Sequence, residues 1–198
     1  METPKRCYWV NPQSELYCRY HDLEWGTPIR DDQTMYELFL LETFQAGLSW
    51  ITILKKREAF RAAFDGFDVE KVASYGEDKI ALLLQDAAII RSRGKISGAI
   101  ANAKIVLELQ KEFGSFCNYL WSFSNGKVVV QKDGGFRTTS PISDSMSADM
   151  KRRGMRYVGS VTLYSFLQAA GIVNDHEKSC YRYDELIRLA GKDGLIEE

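Results

Sequence analysis

Residues 35–54 read MYELFLLETFQAGLSWITIL, and this stretch decides the fold class. Apolar side chains recur in it at intervals of three and four residues on both sides of Gly47, which is the period of an α-helix. Asp31 or Asp32 precedes the first run as an N-cap, and Gly47 is suited to end it. Ser49 is suited to cap the second run. The stretch therefore predicts two consecutive helices with a break at Gly47.

The same helical period recurs along most of the chain, so we predict a single all-α domain over residues 1–198. Only residues 127–131 read as a strand, and the Asp-Gly-Gly sequence at 133–135 is the clearest turn. Residues 1 to about 30 are rich in aromatic side chains and are predicted to be irregular. The other predicted helices are a short one after Asp68, 78–88, a long one after Gly94, 116–123, a segment after Ala148, 161–170 ended by Gly171, and 183–189.

Composition narrows the class of protein. Of the 198 residues, 45% are hydrophobic and 27% are charged, with a net charge of −1, which suffices for a core and excludes disorder. No apolar run is long enough to cross a bilayer, and the first seven residues lack the core of a signal peptide. We therefore expect a cytoplasmic monomer without a membrane partner, whose four cysteines are reduced.

Each of the two histidines in the chain has a cysteine nearby. His21 follows Cys7 by fourteen positions, and Cys180 follows His176 by four, which places the second pair on one face if the segment is helical. Two thiolates and two imidazoles make a closed tetrahedral zinc site, and one ion would join both ends of the chain. The alternative is that the histidines lie at the surface and the cysteines in the core. Cys18 and Cys117 have no such partners and are predicted to be core residues.

Glu42 lies among apolar neighbours, where a carboxylate is costly to bury unless something pairs with it. The commoner explanation is an ion pair with an arginine.

A basic sequence, Arg-Ser-Arg-Gly-Lys, occurs at 91–95 between two predicted helices. Such a segment is either an ordinary interhelical turn around Gly94 or a hairpin whose backbone N–H groups bind a phosphate.

Several stretches together resemble the 3-methyladenine DNA glycosylase I family. They are CYWV at 7–10, LYCRYHDLEWG at 16–26, FLLETFQAGLSW at 39–50, QDA at 85–87, RSRGK at 91–95 and VNDH at 173–176. The resemblance runs from Cys7 to about Cys180, and the tail at 181–198 departs from it. It implies a helix-hairpin-helix DNA glycosylase fold in which one structural Zn²⁺, bound by Cys7, His21, His176 and Cys180, joins the N- and C-terminal segments.

The resemblance also implies roles for individual side chains. Glu42 would be the catalytic-site residue and accept hydrogen bonds from the adenine edge, while Tyr20 and Trp50 stack on the ring. Trp9 and Tyr17 would line the pocket, whereas we assign Trp25 and Trp121 to the core. The implied DNA contacts are Arg91, Arg93, Gly94 and Lys95 on the phosphates. Leu48, at the break between the two helices, is either a core residue, as leucine commonly is, or the DNA-contacting wedge that fills the vacated base stack.

The implied activity is base-excision repair of double-stranded DNA. A methyl group at N3 makes adenine cationic, so aromatic faces attract it and the base is already an activated leaving group. The sequence has no aspartate between Asp86 and Asp133, which favours a monofunctional enzyme that releases free 3-methyladenine and leaves an abasic site. The alternatives are a zinc-stabilised module that binds damaged DNA without catalysis and a glycosylase of broader lesion range.

Overall fold

The structure, a computed structural model, describes residues 4–131 and 137–197. Within these ranges the chain forms ten α-helices and three short strands. The helices are α1 (Glu15–Leu23), α2 (Asp32–Gln45), α3 (Trp50–Ala63), α4 (Val69–Ser74), α5 (Glu77–Gln85), α6 (Arg93–Phe113), α7 (Phe116–Ser122), α8 (Pro141–Arg152), α9 (Ser160–Ala169) and α10 (Tyr181–Ala190); the strands are β1 (Val128–Val130), β2 (Val173–Asn174) and β3 (Leu195–Glu197). No helix in the described part is both long and apolar enough to span a bilayer.

Helix α2 is the centre of the core. All residues from Met35 to Phe44 are buried, and the helix packs against α3, α6, α7 and α9. Both aspartates at its start act as caps, because Asp31 accepts from Thr34 N–H while Asp32 accepts from two backbone N–H groups at the start of α7. The predicted pair of helices around Gly47 is confirmed. A helix buried on every side places any polar residue that it carries inside the protein.

The prediction of an all-α fold is corrected by a small parallel sheet. Strand β1 lies between β2 and β3, with Val129 paired to Val173 on one side and to Ile196 on the other. The predicted strand at 127–131 is confirmed as β1. Its partners contain two and three residues, too few to show a two-residue period, and they form only because distant segments meet. The fold is therefore mostly helical with one three-stranded sheet.

The N-terminal arm is more ordered than predicted. Helix α1 forms within it, capped by Ser14, whose hydroxyl accepts from Tyr17 N–H. Helix α8 begins at Pro141, upstream of the predicted start, and its N-cap Ser140 forms a capping box with Ser143. The remaining predicted helices are present with ends shifted by a few residues. The turn predicted at 133–135 lies outside the described residues.

Gly171 joins the end of α9 to the chain that follows α1. It has a φ of 69°, and a Cβ at this position would lie 2.5 Å from backbone atoms of Thr27 and Pro28. A side chain therefore has no room, and glycine both ends the helix and permits the contact. The neighbouring Ala170 carbonyl accepts from Ile29 N–H at 3.0 Å, which fixes the end of the arm against α9.

Candidate active site and metal-binding cluster

The four predicted metal ligands come together. One ligand atom from each of Cys7, His21, His176 and Cys180 lies within 4.8 Å of all the others, and all four residues are buried. Cys7 Sγ is 3.3 Å from His176 Nδ1, while Cys180 Sγ is 3.4 Å from His21 Nε2 and 3.5 Å from His176 Nδ1. The cluster therefore joins α1 and the segment before it to the segment between β2 and α10.

The second nitrogen of each imidazole has its own partner. His21 Nδ1 lies 2.9 Å from Asp22 Oδ1, and His176 Nε2 lies 3.2 Å from the Trp25 carbonyl. These contacts favour N–H at the outer nitrogens and leave His21 Nε2 and His176 Nδ1 as lone-pair donors toward the cluster. Burial opposes ionisation of Asp22, but hydrogen bonds from Arg6 and His21 lower its pKa to about 2. A cluster with this geometry could hold a metal ion.

The two pairs reach the cluster by different backbone geometries. His21 lies in α1, whereas the segment from His176 to Cys180 is a turn and not the helix that the four-residue spacing suggests. Cys180 N–H donates to the Glu177 carbonyl at 2.7 Å, and Cys180 is the N-cap of α10. The turn is possible because Gly26, at a φ of 78°, leaves space for the His176 ring. Cys18 and Cys117 lie outside the cluster, half-buried and buried.

A cavity of about 360 Å³ lies beside the cluster. The five residues predicted to bind substrate all line it: Trp9, Tyr17, Tyr20, Glu42 and Trp50. Trp9 packs edge-on against Tyr17, with ring centroids 5.1 Å apart, and Tyr20 lies 5.5 Å from Trp50. Trp9 also contacts the His21 ring, with ring centroids 5.5 Å apart, so the cysteine–histidine cluster supports the aromatic wall.

Glu42 does not have the partner that its burial would ordinarily require. Its side chain is 3% exposed, and Oε2 has no hydrogen-bond partner among the described residues. Burial raises its pKa to about 8. Glu37, one and a half turns earlier in α2, instead forms ion pairs of 2.6 Å with Arg57 and 2.7 Å with Arg61. The ion-pair explanation therefore fits Glu37 and does not fit Glu42.

Several polar lining residues were not predicted. Both amide atoms of Gln131 are buried without a hydrogen-bond partner among the described residues. Gln131 directly follows β1, so the carboxyl end of the predicted strand was the one available signal. Asn174 and Asp175 reach the cavity from the end of β2, a strand that the sequence pattern does not reveal.

The loop between α2 and α3 carries Leu48, which is 36% exposed. Its backbone is fixed by two contacts with Gln45: Leu48 N–H donates to the Gln45 carbonyl, and Gln45 Nε2 donates to the Leu48 carbonyl, each at 2.6 Å. The loop follows Glu42 in sequence and precedes Trp50, so it joins two residues that line the cavity.

The segment at 91–95, predicted as a hairpin centred on Gly94, has a different geometry in the structure. The connection between α5 and α6 ends at the N-cap Ser92, so Gly94 is the second residue of α6 and not the centre of a turn. A Cβ on Gly94 would meet the Tyr157 hydroxyl at 2.6 Å. Arg91 and Arg93 are exposed, and Arg93 pairs with Glu77 at 3.0 Å. Lys95 is half-buried, and its Nζ donates to the carbonyls of residues 44 and 46 at 2.7 Å each.

Comparisons with known proteins agree with one another. The methyladenine glycosylase family model matches residues 9–183. DNA-3-methyladenine glycosylase 1 of Escherichia coli is 45% identical over 182 residues, covering 90% of this chain and 97% of that protein. DNA-3-methyladenine glycosylase of Haemophilus influenzae is 42% identical, covering 88% and 96%. A structure described as showing 3-methyladenine recognition by the Staphylococcus aureus glycosylase I superposes with a TM-score of 0.84 at 36% identity, covering 89% and 95%.

Proposed function

The chain belongs to the methyladenine glycosylase family, and on that premise we propose how its own residues perform the family's reaction. The enzyme hydrolyses the N-glycosidic bond of 3-methyladenine in alkylated DNA and leaves an abasic site. The observation that carries the assignment of the site is the buried carboxyl group of Glu42, whose Oε2 has no hydrogen-bond partner among the described residues, in a cavity with aromatic walls.

Charge selects the lesion base. The methylated base is cationic within DNA, and each aromatic face that stacks on it contributes ~0.5–2 kcal/mol of cation–π attraction. Glu42, whose pKa is about 8 in the free protein, ionises beside the cation because the new charge compensates for the lost hydration. Neutral adenine brings no such compensation. Tyr20 and Trp50 provide the stacking faces, Trp9 and Tyr17 line the pocket, and the Glu42 oxygens accept from the base edge.

Bond cleavage needs little further assistance from the protein. The C1′–N9 bond breaks with both of its electrons passing to the base, which neutralises the positive charge of the leaving group. Water then adds to C1′ and releases a proton. Glu42 acts by binding and orienting the cation, so the base leaves as free 3-methyladenine and no lysine-linked intermediate is required.

The DNA duplex binds to the surface formed by the α5–α6 connection and the α2–α3 loop. In this proposal the segment is a helix-hairpin-helix element, in which the N–H groups of the first turn of α6, including that of Gly94, bind a phosphate. Arg91 and Arg93 add charge to this contact. Leu48, exposed on a loop that leads directly to the pocket, fills the gap in the base stack after extrusion.

The cluster of two cysteines and two histidines is proposed to bind one Zn²⁺. Tetrahedral zinc with these ligands separates sulfur from nitrogen by about 3.6 Å, and the three sulfur–nitrogen distances here are 3.3–3.5 Å. His21 would coordinate through Nε2 and His176 through Nδ1, the nitrogens that their outer partners leave available. A shell of four protein ligands supplies no reactive position, so the ion stabilises the arm that carries Trp9, Tyr17 and Tyr20.

Release of bases from methylated duplex DNA tests this function. The purified protein should release 3-methyladenine, identified chromatographically, and leave alkali-labile sites, while 7-methylguanine stays in the DNA. Tight binding to the methylated duplex without base release would favour a damage-binding module without catalysis. Release of both bases would favour a glycosylase of broader lesion range.

A further inference from the structure

The ammonium group of Lys95 lies between the first turn of α6 and the last turn of α2. Its Nζ donates to the carbonyl oxygens of Phe44 and Ala46, at 2.7 Å in each case. The Lys95 backbone is fixed as well, because its N–H donates to the N-cap hydroxyl of Ser92. Two of the three N–H donors of the ammonium group are therefore used within the protein.

The end of α2 needs a cation at this place. The last carbonyls of a helix have no partners within it, and they form the negative end of its dipole. No basic residue occurs in the last turn of α2 itself. The chain leaves the helix at Ala46, with a ψ of 114°, and turns at Gly47, with a φ of 80°. Lys95 thus satisfies the carbonyls at the point where the chain turns away from the helix.

Residues of the proposed reaction lie on both sides of this point. Glu42 is one turn upstream of Ala46 in the same helix, and Leu48 is two residues downstream. We propose that Lys95 is a positioning residue, which fixes the end of α2 against the first turn of α6 so that the pocket and the wedge lie at a set distance from the bound phosphate. This inference rests on the proposed function of those two sites, and it assigns Lys95 a role other than phosphate binding.

A residue that acts by positioning affects the rate of excision even when all of the DNA is bound by enzyme. A reacting group displaced by about 1 Å can cost about a hundredfold in rate even when binding is retained. A phosphate contact would act differently, because removing it lowers DNA affinity and reduces the salt dependence of binding by about one ion. The two roles therefore predict different changes in two separate measurements.

Lys56 offers a matched control. Its Nζ, from α3, also donates to two carbonyls, those of Ala87 at 3.2 Å and Ala88 at 2.8 Å. These carbonyls belong to the connection before α6 and do not border the cavity. Lys56→Met removes the same type of contact without touching the end of α2. Because these carbonyls belong to the proposed DNA-binding surface, the variant should have a lower melting temperature and weaker DNA binding, while excision at saturating enzyme stays within about threefold of wild type.

The experiment combines single-turnover excision at saturating enzyme with the salt dependence of binding to undamaged duplex. For Lys95→Met we expect excision to fall tenfold or more and the salt slope to match wild type, whereas Arg93→Ala should lower the slope by about one. Lys95→Arg keeps the charge but changes the geometry, so its excision should also fall, and it decides the question if Lys95→Met does not fold.

Two results would overturn the assignment. A reduced salt slope with normal saturated excision would make Lys95 a phosphate contact. Normal values of both in a folded variant would leave it no role in the reaction. Failure of the wild-type protein to release 3-methyladenine would instead contradict the proposed function itself, and the two failures are thereby distinguished.

Discussion

Replacing Glu42 by Gln tests whether this carboxylate is kept for binding at the expense of stability. Burial raises the pKa of Glu42 from 4.5 to about 8, so the folded protein binds a proton that the unfolded chain has already lost between these values. The protonated Glu42 side chain therefore makes its full contribution to the free energy of unfolding below pH 4.5, and this contribution is lost as the pH rises through 8. Gln has the same shape and does not ionise.

The size of the effect follows from the shift. Each unit of pKa difference corresponds to about 1.4 kcal/mol, so ionisation in the unfolded chain costs the wild-type protein ~2 kcal/mol at pH 6 and ~3 kcal/mol at pH 7. The cost reaches about 5 kcal/mol above pH 9, where the folded protein must also ionise. We therefore expect Glu42→Gln to be more stable than wild type, by a margin that widens with pH.

Glu37→Gln is the matched control on the same helix. Glu37 is also buried, but its carboxylate is paired with Arg57 and Arg61. Removing the charge takes one carboxylate partner from each guanidinium group, and because Arg57 keeps Glu24 and Arg61 keeps Glu58 we expect a loss of only about 1–2 kcal/mol. The same substitution should thus stabilise the protein at one position and destabilise it at the other.

Urea unfolding of metal-loaded protein at pH 6, 7 and 9 measures these differences. A Glu42→Gln protein that is less stable than wild type at pH 7, or a difference that does not change with pH, would refute the reasoning. Either result would mean that Glu42 is ionised and stabilised within the protein, as an ordinary ion-pair partner is.

Three further predictions concern the base, the DNA and the metal. Glu42→Gln should weaken binding of free 3-methyladenine in its protonated, cationic form roughly ten- to a hundredfold by titration, because a hydrogen bond to a charged group contributes ~1.5–3 kcal/mol; unchanged affinity would separate Glu42 from base recognition. Arg93→Ala should weaken binding to damaged and undamaged duplex alike, and an altered lesion preference at normal nonspecific affinity would contradict its phosphate role. Metal analysis should find one zinc per chain, and Cys7→Ser should lower the melting temperature more than the activity of the folded fraction; a fully folded zinc-free protein would rule out the structural role.

The parts of the fold that could be predicted have local causes. Asp31 caps α2 and Gly171 ends α9 because each acts on backbone groups within a few residues of itself. Strands β2 and β3 could not be predicted, since each is short and exists only by pairing with β1. Helix α1 was missed because its aromatic residues divide between the core and the cavity, which obscures the apolar period.

The candidate site also has features that the sequence predicts and features that it does not. The four residues of the cluster were predicted from their chemistry and from the family resemblance, and the structure brings them together, but the turn at Cys180 required the three-dimensional structure. Nothing in the sequence distinguishes Glu37, which has arginine partners, from Glu42, for which the described part of the chain provides no ion pair. Likewise the sequence places Lys95 in a basic cluster, while only the structure shows its ammonium group on the carbonyls of α2.

The cluster of Cys7, His21, His176 and Cys180 also determines when the pocket can form during synthesis of the protein. His176 lies 169 positions after Cys7 in the chain. At ~5–20 residues per second, a ribosome makes the later ligand about 8–35 s after the first. During that interval the N-terminal arm has no second half of the cluster to dock against, and the Trp9 ring lacks its support. The nascent protein should therefore acquire its lesion-binding pocket only after His176 and Cys180 have been synthesised.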